Sequence, residues 1–367
     1  MPANENFEGE QLRLARLAHG FTLDELGERV SATRQYLNQL EQGTKLPTEQ
    51  MVEALAAAVG VTLQFFGMIT KDSVRPEQCH FRKQRTTPMS VVSQVLARGT
   101  LLSRFINSLD RELELPPVSF PDIPIKSSLD IEEAAEEARR RWKLGSGPIS
   151  NMIRVVENAG AVVSFFGGVS ERVDALSIDR SRPMIIRSEA KPAAVRLRFD
   201  LAHECGHLVM HRGIETGDKA TENEANRFAS AFLLPRSSFI HEFPRGRALN
   251  WGRIYEMKMR WKISAAAIIR RAYDLGMISA DQYRTGYIHL SKTGQKKAER
   301  YDNEIVSEEP ELLQSAMAEL EKAYPGSVRR LVSEAGLEEE MFSKVSGLRL
   351  PESTVFEDRT IVPFPRR

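Results

Sequence analysis

The chain has 367 residues, enough for two or three domains, and its 41% hydrophobic and 28% charged residues are typical of a globular rather than a disordered or fibrous protein. It contains no apolar run of about 18 residues, which argues against a helical membrane span, and it begins with a polar, acidic segment unlike a secretory signal. Its two cysteines, Cys79 and Cys205, argue against a disulfide scaffold and favour a reducing, cytoplasmic location.

Charge is unevenly distributed along the chain. Residues 8–66 carry five Lys/Arg and eight Asp/Glu, residues 245–300 carry thirteen and four, and residues 301–367 carry eight and fourteen. The basic block either faces nucleic acid or an acidic partner, or forms a solvated helical surface. The composition leaves both interpretations open.

Residues 8–66 read as four short helices. Thr22 is a helix-capping residue type and precedes acidic residues in the first turn of the second helix. The third helix is predicted over Thr33–Gln42 and ends at Gly43, and the fourth ends near Gly60.

Residues 67–127 read as a connector. Part of it is basic, through Arg75, Arg82, Lys83 and Arg85. Prolines in its second half predict a linker, because proline interrupts helices and sheet ladders: Pro116, Pro117, Pro121 and Pro124.

Helices and short strands alternate after the connector. The predicted helices are Ile131–Trp142, Ile149–Ala159, Arg196–His211, Glu222–Leu234 and a helical stretch over 250–285. The predicted buried strands are Ala161–Phe166 and the neighbourhood of Pro183–Ile186. The last 65 residues are acidic and only partly helical.

The most specific motif is His203-Glu204-Cys205-Gly206-His207. On a helix, His203 and His207 share one face about 6 Å apart, so their imidazoles can bind one zinc ion. Glu204 can then accept a proton from a water on the metal. The alternative is a pair of surface or core histidines on an amphipathic helix.

A third ligand is predicted in the segment ENEANRFASAFLLP (222–235). Glu222 and Asn226 fall on one helical face, which predicts Glu222 as a metal ligand and Asn226 as an outer-shell partner of a ligand. Glu224 lies about 200° round the helix from Glu222 and is therefore the less favoured candidate for the third ligand.

Three other histidine or cysteine residues receive no ligand role. His211 lies about 12 Å along the helix axis from His203, so a helix-end packing or hydrogen-bonding role is favoured. Cys205 points away from the histidine face and is predicted to lie in the core. His80 is isolated in the sequence.

Residues 134–235 resemble the ImmA/IrrE metallopeptidase family. The matching pieces occur in the family's order: 138–163, 174–187, RFDLAHECGHLVMH (198–211) and ENEANRFASAFLLP (222–235). The resemblance implies zinc ligands at His203, His207 and a glutamate of the ENEAN segment, with Glu204 as general base. Cys205 stands where the family usually has leucine. Residues 261–284 resemble the helical segment that follows the core in long family members.

Residues 8–66 resemble the phage-repressor (XRE-like) helix-turn-helix family, through TLDELGERVSATRQYLNQLEQGTKLPTEQMVEALAAAVGV. The resemblance predicts that five residues face the DNA major groove: Thr33, Arg34, Gln35, Asn38 and Gln39. The net acidity of the segment leaves a module for protein contacts or dimerisation as the alternative.

Together these features predict a mainly α, multidomain protein. Its predicted units are a helical helix-turn-helix bundle (8–66), a connector (67–127), an α+β zincin-like metallopeptidase domain with a small sheet (128–240), a helical extension (241–300) and an acidic region (301–367). The predicted function is a zinc endopeptidase-regulator, with one zinc per chain, that binds DNA and cuts a protein such as a helix-turn-helix repressor. The alternative is a regulator whose zinc domain senses a ligand or binds a protein without proteolysis. No membrane partner is expected, and a homodimer is left open.

Overall fold

The computed structural model describes residues 6–69, 72–81, 88–168, 175–187, 193–214 and 216–351. Arg82, Lys83 and Arg85 of the predicted connector and residues 352–367 of the predicted acidic region lie outside the described residues. Within them the chain forms sixteen α-helices and one four-stranded sheet, which confirms the mainly α, multidomain prediction. No described helix combines the length and apolarity that a bilayer crossing requires.

The N-terminal helices begin and end where their capping residues predict. Their bounds are α1 Gly9–His19, α2 Leu23–Val30, α3 Arg34–Glu41 and α4 Glu49–Val59. Thr22 forms a capping box with Glu25 at the start of α2, and the hydroxyl of Thr33 accepts a hydrogen bond from the backbone N–H of Tyr36 in α3. The helices enclose an apolar core that includes Leu26, Leu37 and Leu40.

The helix-turn-helix bundle packs on a second layer built from distant parts of the chain. This layer comprises the 24-residue helix α5 Met89–Glu112 and helices from near the chain's end: α14 Leu312–Ala323, α15 Ser327–Glu334 and α16 Glu339–Ser346. Val61 forms an isolated antiparallel bridge with Leu337, and the backbone N–H of Glu338 donates to the carbonyl of Gly60 at 3.0 Å. One continuous apolar core therefore runs from the bundle through α5 and the returning helices.

A small sheet lies between this layer and the rest of the protein. Its strands are β1 Cys79–Phe81, β2 Val162–Phe165, β3 Ala175–Ile178 and β4 Met184–Arg187, in the order β1-β3-β4-β2. β1 and β4 run antiparallel to β3, and β2 runs parallel to β4. Side chains alternate between the faces: Met184 and Ile186 join the core shared with the bundle, whereas Ile185 joins a second core.

The second core is built by the helices on the other face of the sheet. They are α6 Ser128–Arg141, α7 Met152–Asn158, α8 Ala194–Met210, α9 Lys219–Leu233, α10 Arg236–Glu242, α11 Trp251–Trp261, α12 Ala265–Asp274 and α13 Ala280–Lys292. In the basic segment, the buried Lys258 pairs with Glu299 and Asp302, and Arg271 pairs with Glu132. Part of the positive charge of residues 245–300 is thus neutralised by ion pairs inside the fold.

Several predicted elements are confirmed and others were missed. The predicted strands over 161–166 and 183–186 correspond to β2 and β4, whereas β1 and β3 were not predicted. The stretch 250–285, predicted to be helical, contains α11, α12 and the start of α13, and it is interrupted where Lys262 adopts a left-handed conformation with φ 52° and ends α11. The connector contains the long helix α5, and the division of the chain into units stays a prediction.

Arg98 on α5 connects the two layers, and its removal provides a stability test. This buried side chain donates from Nε to the carbonyl of Ala18 at 2.8 Å and from Nη1 to that of Gly167 at 2.5 Å. We expect Arg98→Ala to lower the free energy of unfolding by about 2–4 kcal/mol in urea denaturation, because charged hydrogen bonds are lost and enclosed carbonyls are left unpaired. Arg111→Ala, on the exposed end of α5, is the control, and equal losses in the two variants would contradict the assignment.

Candidate metal centre

Helix α8 carries the HExxH residues through the middle of the protein. His203, Glu204 and His207 are all at most 1% exposed. Cys205 is also buried, as predicted, among the apolar residues of the second core. The two histidines lie one helical turn apart, and their Nε2 atoms are 3.1 Å from each other.

Helix α9 brings a carboxylate to the histidines because it packs tightly against α8. At the contact point α8 has a glycine, Gly206, and a Cβ placed there would lie 3.1–3.2 Å from the side chain of Phe228 on α9. Asp218 caps α9 by accepting from the backbone N–H groups of Ala220 and Thr221, which fixes the start of the helix just before Glu222.

Three potential ligand atoms converge as a result. Glu222 Oε2 lies 3.4 Å from His203 Nε2, and Glu222 Oε1 lies 3.5 Å from His207 Nε2. One potential ligand atom from each of the three residues lies within 4.8 Å of the other two. Glu224 points elsewhere, towards His211.

Hydrogen bonds on the far side of each imidazole set the orientation of both rings. His203 Nδ1 lies 3.0 Å from Asn226 Oδ1, where it can donate its proton. His207 Nδ1 lies 2.9 Å from His211 Nδ1, and His211 Nε2 lies 3.0 Å from Glu224 Oε2. In this arrangement His207 donates to His211 and His211 donates to the carboxylate of Glu224.

This pattern of donors fits a divalent cation. Two neutral imidazoles that donate from Nδ1 present only lone pairs at Nε2, and here those lone pairs face each other and a carboxylate. The two lone pairs and the carboxylate repel one another unless a cation lies between them. Ligands about 2.0–2.2 Å from one tetrahedral zinc ion lie about 3.3–3.5 Å from one another, close to the spacing found here.

The pKa values of the cluster follow from burial and mutual contact. Burial lowers the pKa of His207 to about 4, which keeps the ring neutral at physiological pH. Burial alone would raise the pKa of Glu222, but its close contacts with His203 and His207 outweigh burial and lower that pKa to about 2. His207 is therefore neutral and Glu222 ionised near neutral pH, which are the states that metal binding requires.

Glu204 extends from α8 towards the sheet. The hydroxyl of Ser177 on β3 donates to Glu204 Oε2 at 2.7 Å. Burial raises the pKa of Glu204 to about 7, against the opposing effects of His203 and the Ser177 hydrogen bond. A carboxyl group with a pKa in this range can accept and return a proton near neutral pH.

His80, which received no role on sequence grounds, also lies in this neighbourhood. His80 pairs with Ser177 across the β1–β3 ladder, and its ring stacks on that of His207 with centroids 5.1 Å apart. Its Nδ1 lies 3.0 Å from the hydroxyl of Thr216. Sequence reasoning missed both His80 and Ser177, because only the strand pairing brings them to α8.

The residues predicted to contact DNA lie on α3 or cap it. Arg34, Gln35 and Asn38 are exposed on one side of the helix. Thr33 is also exposed, with its hydroxyl used as the helix cap, and Gln39 is half-buried. Arg34 forms an exposed ion pair with Asp24 on α2, which any phosphate or base contact by Arg34 would have to replace.

Comparison with known families agrees with this organisation. Residues 9–64 match the model of a helix-turn-helix domain, and residues 156–273 match a peptidase family model described as an IrrE N-terminal-like domain. No curated protein matches the chain. The matches confirm the predicted fusion of a helix-turn-helix domain to an ImmA/IrrE-like metallopeptidase domain, with the histidine and carboxylate cluster inside the second match.

The close approach of α8 and α9 can be tested at Gly206. We expect Gly206→Ala to lower the free energy of unfolding by about 1–3 kcal/mol, because the added methyl group must displace Phe228 and with it α9. Urea denaturation measures the loss. Gly147→Ala is the control, since a Cβ there meets no atom within 4 Å, and an equally mild effect in both variants would contradict the role of this contact.

Proposed function

We propose that residues 156–273 form a zinc-dependent endopeptidase in which His203, His207 and Glu222 hold the metal. The observation that carries the proposal is the convergence of two imidazole Nε2 atoms and one carboxylate, each imidazole with a hydrogen-bond partner at Nδ1. Asn226 and the His211–Glu224 pair orient the two histidines in this proposal. When bound, zinc supplies Lewis acidity, which favours ionisation of water and polarises a carbonyl.

In this mechanism Glu204 acts as general base and then as general acid. Its carboxylate accepts a proton from the attacking water and later returns it to the leaving amine. Two features support this role: the nearly neutral pKa of Glu204 and the hydrogen bond from Ser177, which fixes one carboxylate oxygen. A purely structural metal site would have no need of a buried carboxyl group beside its first histidine.

We further infer that α3 places the protein on DNA and that the peptidase acts on a protein, such as a helix-turn-helix repressor. The exposed Arg34, Gln35 and Asn38 are side-chain types suited to guanine and adenine edges, which supports DNA binding. The second candidate is a regulator in which the zinc domain senses a ligand or binds a protein. The fused DNA-binding module favours it, because such a module suits a regulator whether or not it cuts a substrate.

Metal analysis tests the ligand set directly. We expect purified protein to contain about one zinc ion per chain by inductively coupled plasma mass spectrometry, and His203→Ala to lose it, because two ligands hold zinc far more weakly than three. His241→Ala, an exposed histidine on α10, should keep the metal. Retention of zinc by His203→Ala would remove this residue from the ligand set.

Glu204→Gln tests the general base. The amide keeps the size of the side chain but cannot accept the proton, so we expect normal zinc content and a rate of cleavage of a co-expressed repressor-like protein reduced about a hundredfold or more. Glu256→Gln, an exposed change on α11, is the control. Cleavage at the unaltered rate by Glu204→Gln would exclude this mechanism, and absence of cleavage by the unmodified protein would favour the sensor.

DNA binding is tested with the promoter upstream of the protein's own gene. In a gel shift at low salt we expect Arg34→Ala or Gln35→Ala to weaken binding by about tenfold, as loss of one base contact does. Arg236→Ala, exposed on α10, should bind normally. If the unmodified protein gives no shift, the helix-turn-helix module would instead serve protein contacts.

A further inference from the structure

A cavity lies beside β2, at the opposite edge of the sheet from β1. It encloses about 450 Å³ between β2, the end of β4, the first turn of α8 and the returning helices α14 and α16. Small-molecule sites in proteins are commonly of this size. Its walls include the apolar side chains of Phe165, Leu197, Leu313 and Leu348.

One wall of this cavity carries an unusual charge, the guanidinium of Arg187. The residue is 3% exposed, and its Nε and Nη2 atoms have no hydrogen-bond partner in the part of the chain that the structure describes. The ring centroid of Phe165 lies 5.3 Å from its guanidinium carbon. Burying an arginine without a hydrogen-bonded anion is energetically costly, so such residues usually have a partner.

Nearby carboxylates do not supply that partner. Asp200, Glu308 and Glu309 act on Arg187 through electrostatics, but burial outweighs them and lowers its pKa. Glu308 instead pairs with Arg198 and accepts from the backbone N–H groups of Met152 and Ile153 at 2.7 and 3.2 Å. Glu309 is exposed at the rim of the cavity.

We propose that this cavity binds a small monocarboxylate with an apolar body, whose carboxylate pairs with Arg187. Nε and Nη2 form the edge of a guanidinium that binds a carboxylate with two parallel hydrogen bonds. Glu308 and Glu309 in the lining disfavour a second negative charge on the ligand, which argues against a phosphate dianion. The apolar walls accommodate the remainder of the molecule.

The experiment uses the full-length protein and octanoate as the probe, with 1-octanol and octyl phosphate for comparison. In isothermal titration calorimetry we expect octanoate to bind about tenfold or more tightly than 1-octanol, which lacks the charged hydrogen bonds. Octyl phosphate should bind more weakly than octanoate. Equal binding of octanol would indicate a merely apolar cavity, tighter binding of octyl phosphate would indicate a phosphate site, and no binding of octanoate would overturn the proposal.

Variants locate the binding and separate it from a structural role of the arginine. Arg187→Met should abolish octanoate binding while leaving the Tm of the free protein unchanged or higher, because an unpaired buried charge is replaced by an apolar chain. A lower Tm together with unchanged octanoate binding would make Arg187 structural. Gln314→Trp, an exposed change at the cavity wall, should block binding without loss of stability. Arg236→Met, far from the cavity, is the control for both, and octanoate binding that survives Gln314→Trp would place the ligand elsewhere.

Discussion

The candidate centre depends on how closely α8 and α9 can approach. Two histidines on one helix can supply only part of a metal site, and the remaining carboxylate must come from another element. Gly206 has no side chain to keep Phe228 away, so the helix axes come near enough for Glu222 to reach both imidazoles. The same approach brings Asn226 to His203 and Glu224 to His211, so one packing contact determines both the ligands and their orientation.

The sheet connects this centre to the rest of the molecule. One face supplies Ser177 to Glu204 and His80 to His207, whereas the other packs against the layer that carries the helix-turn-helix bundle. A displacement of β3 would therefore disturb both the buried carboxyl group of Glu204 and the apolar core that the sheet shares with the bundle. The two faces of the sheet thus contact different parts of the protein.

Local pattern was enough to predict some of this organisation from the sequence. The four-residue spacing predicts that His203 and His207 share one face of a helix, and the rotation of about 100° per residue favours Glu222 over Glu224. In the structure Glu222 lies beside His203 and His207, whereas Glu224 contacts His211. The pairing of distant strands could not be predicted, because β1 and β3 are only three and four residues long. No sequence pattern near His80 or Ser177 indicates which strand each would pair with. Helix α5 was missed because the prolines that follow it suggested a linker for the whole segment. The packing of α14–α16 on the N-terminal bundle joins regions about 300 residues apart, which no local periodicity encodes.

The last helices of the chain pack against the first ones, and this packing limits the effect of a single cut in the backbone. The α4 end and the segment before α16 are held by a bridge and by hydrogen bonds in both directions: Thr62 donates to the carbonyl of Gly336, and Glu338 donates to that of Gly60. A nick in the proline-containing segment between α5 and α6 would leave two fragments that stay packed together, because the C-terminal fragment includes the helices α14–α16 that cover the bundle. The helix-turn-helix bundle would stay attached after such a nick, so its release would require unfolding of the shared core rather than scission alone.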